Sequence, residues 1–219
     1  RLDIPGFTSK IAAGDARGAA EVVQNDLTLP ASLGRICPHL CEQRCRRGDL
    51  EDSVSIRHLH RFCADRDLRS DAPFVPAKDK ATGKRVAIVG AGPAGLAAAY
   101  HLLRRGHEVV LFDAHRQPGG MLRYGIPEFR LPRDVLDREI HVIRKLGGEF
   151  RLQTKLGKDL TFEQLRRDFQ ALFLAIDRKR FADEIGERFH QVTVQPWPST
   201  SPAYDKSLDA PFYDPTKAK

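Results

Sequence analysis

Two short stretches carry residue types that could do chemistry. The first is Cys37-Pro38-His39-Leu40-Cys41-Glu42-Gln43-Arg44-Cys45, three of the chain's four cysteines within nine residues; the fourth is Cys63. A disulfide framework suits small secreted chains, and the opening Arg1-Leu2-Asp3-Ile4-Pro5 has no apolar signal segment. Clustered cysteines outside that setting point to metal or an iron–sulfur cluster, and C-x3-C-x3-C lets one short piece of chain wrap a cluster with thiolates. Structural zinc is the competing reading, with an unusual spacing. Cys63 has a second, plainer reading as a small buried hydrophobe.

The second stretch is Gly90-Ala91-Gly92-Pro93-Ala94-Gly95, a G-x-G-x-x-G turn. It follows the β-branched run Val86–Val89 and precedes a helical pattern. Asp113 closes the next apolar run 23 residues after Gly90. That context is what a dinucleotide site requires. Gly90 allows the tight turn, Gly92 admits a pyrophosphate to the backbone, and Gly95 lets helix and strand pack closely. The helix N-terminus then offers free N–H groups to phosphate, and Asp113 accepts from the adenosine ribose. The turn alone does not separate FAD from NAD(P).

These residues need positioning elements. Residues 1–68 read as a helical domain: one helix capped by Thr8 or Ser9 and running through Ile11, Ala19 and Val23, ended before Pro30, and another across Ser55–Asp65. Residues 69–83 read as a linker. From residue 84 to 177 strands and helices alternate, starting a doubly wound Rossmann-like segment: strands at Val86–Val89, Val109–Phe112, Phe150–Leu152 and Leu172–Ala175, helices after Gly92, from Pro132 and over Phe162–Asp168. Residues 178–219 hold five prolines without periodicity and read as an irregular tail. The fold class is thus α+β overall, a helical cysteine domain followed by an apparently incomplete α/β domain.

At 219 residues the chain has room for one sizeable domain or two small ones. Its mean hydropathy is −0.42, and no apolar run approaches the ~20 residues of a membrane span. A net charge of +7 and a pI near 9.4 raise a nucleic-acid reading. The basic residues are spread over the helical region, the linker and Arg123–Arg138 without interleaved aromatics, which argues for anionic cofactors and an acidic partner surface instead.

Gly119-Gly120-Met121-Leu122-Arg123-Tyr124-Gly125-Ile126-Pro127-Glu128-Phe129-Arg130-Leu131-Pro132, with Leu2–Phe7, the approach Leu29–Pro38 and the helix Val54–Phe62, resembles the glutamate synthase small (beta) subunit family, which includes the N-terminal part of dihydropyrimidine dehydrogenase. The resemblance ends near residue 176. It implies an FAD-dependent iron–sulfur oxidoreductase subunit, with FAD along Gly90, Gly92, Pro93, Ala94, Gly95, Asp113, Gly120, Met121 and Arg130. It implies [4Fe-4S] clusters, Cys37 and Cys41 serving one and Cys45 another, with a non-cysteine ligand at His60. Three readings stay open: further ligands before Arg1; one cluster on Cys37, Cys41, Cys45 and either Cys63 or His60; or zinc. His39 and His58 read as surface or satisfied histidines. The family carries NADPH on a second glycine-rich turn, absent from this chain, so NAD(P)H binding would lie in a part not present here. The implied function is electron transfer between FAD and clusters in a cytoplasmic complex with other subunits and a redox partner protein. The alternative is a non-catalytic assembly subunit that keeps the fold. No acid–base residue stands out.

Overall fold

The computed structural model describes residues 2–174. The proline-rich segment 178–219 therefore lies outside the described residues.

Short acidic caps divide the N-terminal helices. Asp3 accepts from the Gly6 N–H (3.0 Å) and starts α1 (Ile4–Ala12); Asp15 accepts from the Gly18 N–H (2.8 Å) and starts α2 (Ala16–Asp26). The single helix expected through Thr8 and Val23 is thus two. Apolar periodicity survives the break, but an aspartate at the N-cap satisfies an otherwise unpaired N–H and fixes a new start. Pro30, at the first helical position where its missing N–H costs nothing, opens α3 (Pro30–Ile36), which delivers the chain to Cys37. The cysteine stretch follows as α4 (Leu40–Gln43) and a 3-10 turn at Arg46–Asp49, before α5 (Ile56–Leu68). Phe7, Ala19, Ala20, Val23, Ile56 and Cys63 form the small core of α1, α2 and α5.

The second half is built on strand alternation. β1 (Arg85–Val89), β2 (Glu108–Phe112), β3 (Glu149–Arg151) and β4 (Ala171–Leu174) make one parallel sheet in the order β3-β2-β1-β4. Val86, Ile88, Val109 and Leu111 face one core, and Ala87, Val89, Val110 and Phe112 face the other. Period-two side chains that are apolar at every position bury a strand on both faces. Helices α6 (Pro93–Arg104) and α8 (Arg133–Lys145) cover the first face and α9 (Phe162–Asp168) the second. A one-turn helix, α7 (Met121–Tyr124), follows Gly120.

The two halves share a core. Leu29, Ala31, Ala64 and Leu68 belong to the same buried cluster as Ile88, Leu96, Leu136 and Ile143. The segment between them has no regular structure but is bonded on both sides. The Phe74 N–H donates to Asp67, the Asp79 N–H to Arg104 O (2.7 Å) and Lys78 Nζ to Leu146 O.

Candidate functional site

In a parallel sheet, β1 has β2 on one side and β4 on the other, so the crevice beyond its carboxyl end is the switch point where ligands bind. Gly90–Gly95 leaves from there. The Gly90 N–H donates to Phe112 O (2.7 Å), tying the turn to the end of β2. Gly92 is the N-cap of α6 and brings no side-chain cap; Pro93 and Ala94 are exposed, so the first N–H groups of a 12-residue helix face an open surface. Across from the turn lies Gly120, at φ +51°; a Cβ there would sit 2.7 Å from the Gly92 Cα. Glycine at both positions keeps this backbone cradle open and fits a pyrophosphate.

Two arginines of the basic Arg123–Arg138 segment brace the cradle. Arg123 is buried, donates from Nε to Pro118 O (2.7 Å) and pairs with Asp137 of α8. Arg133 donates to Leu122 O and Ile126 O. Both arginines therefore hold the Gly119–Ile126 bend to α8. Isolated arginines carry no sequence signal that distinguishes a brace from a solvated charge. Of the expected cofactor residues, Gly90, Gly92, Pro93, Ala94, Gly95, Gly120 and Asp113 come together around the turn. Met121 and Arg130 are exposed, and no bond ties Arg130 to the turn among the described residues. Asp113 is buried, and its carboxylate accepts from the Ala91 N–H (2.7 Å), the His115 N–H (2.8 Å) and His115 Nδ1 (2.8 Å).

The cysteine region is polarised. Among the described residues no group of three or more His, Cys, Asp or Glu is gathered closely enough to hold a metal ion. All four cysteines are free thiols. Cys37 Sγ accepts from the His39 N–H (3.4 Å). Cys45 lies below the usual thiol range, first because the Val54 and Arg47 N–H groups bond it, and further because of the Arg47 charge. Cys63 goes the other way: burial in the α1–α2–α5 core pushes its thiol up to about 11. A thiolate is what binds iron, so Cys45 is suited to ligation and Cys63 to packing. Its place in that core favours the packing reading of Cys63 over the ligand reading.

Three buried side-chain nitrogens lack a partner among the described residues: His39 Nδ1, Arg57 Nε and His60 Nδ1. His39 lies within the cysteine stretch, while Arg57 and His60 lie on α5, from which Arg57 also donates to Cys37 O. His39, read as surface or satisfied, is half-buried with its Nδ1 unpartnered, and its backbone sits in the left-handed region at φ +47°. His58 is exposed, as expected. Burial holds His60 below the ordinary imidazole range, and its bond to the Pro30 carbonyl only partly offsets this. A neutral ring that donates through Nε2 leaves Nδ1 as a free lone pair, the form a histidine takes as a ligand. Orphaned buried polar atoms call for a missing partner; cluster or thiolate sulfur suits the Arg57 Nε–H, and iron suits the His60 Nδ1 lone pair.

Glu139, on α8, was not singled out by sequence. It is fully buried and accepts from the Ala31 and Ser32 N–H groups (2.7 and 3.0 Å) and the Ser32 hydroxyl, capping α3 from 107 residues away. Burial raises its carboxyl to about 7.

Residues 1–72 match the family model described as dihydropyrimidine dehydrogenase domain II, 4Fe-4S cluster, and residues 88–153 the NAD(P)-binding Rossmann-like domain. The chain is 40% identical to NADP(+)-dependent formate dehydrogenase subunit beta of Moorella thermoacetica, over 80% of its own length and 28% of that protein. It is 39% identical to NADPH-Fe(3+) oxidoreductase subunit beta of Geobacter sulfurreducens, over 80% of this chain and 26% of the relative. It is 38% identical to the glutamate synthase [NADPH] small chain of Escherichia coli K12, over 79% and 37%. The chain therefore spans well under half of these relatives. The cysteine stretch lies in the first matched region and the glycine turn with its Gly119–Pro132 partner in the second, and over this shared part the chain is a homologue of the glutamate synthase small chain and similar oxidoreductase subunits.

Proposed function

We propose that this chain is the cluster-holding and dinucleotide-holding part of an NAD(P)H-linked oxidoreductase subunit, passing electrons between FAD and [4Fe-4S]. The observation that carries the reading is the Gly92–Gly120 cradle at the switch point, joined through one core to α3 and α5, the helices on either side of the cysteine stretch. Residues 1–68 would form the cluster portion and 84–177 the flavin portion. Cys37, Cys41 and Cys45 would hold iron as thiolates, with His60 Nδ1 as the nitrogen ligand. Arg57 Nε would donate to cluster or thiolate sulfur. The N–H groups of Gly90–Gly95 would take the pyrophosphate and Asp113 the ribose, with Met121 and Arg130 at the open edge. When bound, flavin accepts a hydride pair and releases single electrons, which a cluster can carry. The chain's own part is to bind, orient and shield these groups.

The nicotinamide site would lie in a part of the protein beyond this sequence, as would contacts with other subunits and a redox partner. A reducing cytoplasmic compartment fits the four free thiols. Among the described residues no helix is long and apolar enough to cross a membrane.

The test is cofactor content of the full chain purified without oxygen. Flavin absorbance together with iron and acid-labile sulfide is expected. A colourless protein lacking both overturns the reading and leaves an assembly subunit.

A further inference from the structure

The carboxylate that reads the ribose is already engaged. Oδ2 of Asp113 takes the Ala91 N–H, and Oδ1 takes both the backbone N–H and the Nδ1 of His115. A carboxylate has about four acceptor positions, so roughly one remains, on Oδ2. A ribose offers two vicinal hydroxyls. The backbone contacts are fixed: the Asp113 N–H donates to Arg151 O, the Thr154 N–H to Asp113 O (2.9 Å) and the Gln153 N–H to His115 O (3.1 Å). The imidazole is the movable member. Its side chain is 60% exposed, and it lies stacked on the half-exposed Tyr124, centroids 4.8 Å apart and planes 29° from parallel. Tyr124 is itself anchored, its hydroxyl sharing bonds with the N–H and carbonyl of Gln117.

We infer that His115 is a specificity-determining plug: its ring occupies the ribose-reading oxygen of Asp113, and an adenosine diphosphate moiety binds by displacing it. Rotation about the side-chain bonds suffices, because the backbone at residues 113 and 115 stays pinned. The rotation frees one acceptor on Oδ1 for the second hydroxyl and uncovers the face of Tyr124, on which an adenine can stack. With the ring in place, a vicinal diol and a single hydroxyl are read almost alike. With it gone, the diol is favoured. The inference deepens the dinucleotide reading and rests on it.

The experiment measures ADP and 2′-deoxy-ADP binding to the full chain by calorimetry, with inorganic pyrophosphate as a ligand that does not reach Asp113. His115→Ala should bind ADP roughly fivefold to tenfold more tightly, the scale of one weakened hydrogen bond to a charged group. It should gain less for 2′-deoxy-ADP and nothing for pyrophosphate. His115→Phe keeps a ring on Tyr124 but drops the Asp113 bond, and should show part of the gain. Adding Asp113→Asn should erase it. Equal or weaker ADP binding by both His115 variants, or a gain that extends to pyrophosphate, overturns the plug while leaving the dinucleotide site standing. If neither ADP nor FAD binds the wild-type chain, the plug and the dinucleotide reading fall together.

Discussion

At the residue scale the sharpest contrast is between two cysteines. Cys45 is exposed to backbone donors and a guanidinium that favour the thiolate, while Cys63 is sealed among Phe7, Ala19, Ala20 and Val23. Replacing Cys45 by Ala should cut iron content sharply with little effect on folding. Cys63→Ala should leave iron content unchanged and cost about 1 kcal/mol, the scale of a small cavity in a packed core. Iron assays beside thermal melts separate the two, and iron loss in Cys63→Ala would restore that residue as a ligand. The glycine cradle is as specific. Gly120→Ala combines a left-handed φ with a Cβ driven to 2.7 Å from the Gly92 backbone. Flavin retention in that variant should fall at least tenfold, read by spectroscopy after gel filtration; wild-type retention would mean that the cofactor lies elsewhere.

At the element scale, α3 depends on a neighbour for its cap. Its N-cap, Leu29, has no side chain that can bond the first N–H groups, and Glu139 of α8 does so instead. Burial raises this carboxyl to about 7, so the folded protein holds a proton there that the unfolded chain releases near 4.5. The resulting stabilisation is complete below the ordinary carboxylate range and is lost as pH rises through about 7, by on the order of 3 kcal/mol at most. Among the described residues the one charged side chain that acts on it is Arg35 from α3, beside the Ser32 hydroxyl and the two backbone N–H groups. Asp65 is paired with Arg35, Asp67 with Arg17 and Gln24, and the Tyr100 hydroxyl donates to Gln24 O. Melting temperature should therefore fall between pH 5 and pH 8, and Glu139→Gln, neutral throughout, should flatten that slope. An unchanged slope in the variant would place the pH sensitivity on another group. The crossing of α3 over α5 is equally tight: a Cβ on Gly34 would come within 2.5 Å of the Arg61 Cβ.

At the scale of the molecule, the cysteine helices and the sheet segment complete one another. Leu29, Ala31, Ala64 and Leu68 close the core that α6 and α8 form on the sheet, and Arg138 donates across to Leu68 O. A fragment beginning at residue 69 would leave that apolar face to water. Such a fragment should bind a hydrophobic dye and lose its cooperative thermal transition, whereas the full chain should melt in one step. A sharp transition in the fragment would show two independent domains.

The local rules in the sequence were enough for the strands and longer helices of the sheet half, though not for the one-turn α7. Alternating apolar runs, a glycine turn and an acid at the next strand end are neighbours in the chain, and their spacing alone set β1, α6 and β2 and the dinucleotide turn. The broken first helix was legible too, in Asp15 and Gly14, but periodicity masked it. What the tertiary structure decided was every pairing across long stretches of chain: Glu139 with α3, Arg123 with α8, Gly120 with Gly92, and Cys63 inside a core rather than beside its fellow cysteines. Such contacts follow from which faces pack together, and a single residue's type does not encode its partner. His115 shows both sides. Its place two residues after Asp113 was always in the sequence, but that its ring turns back onto the carboxylate, supported by Tyr124, depends on the bend that Gly119, Gly120 and Arg123 impose.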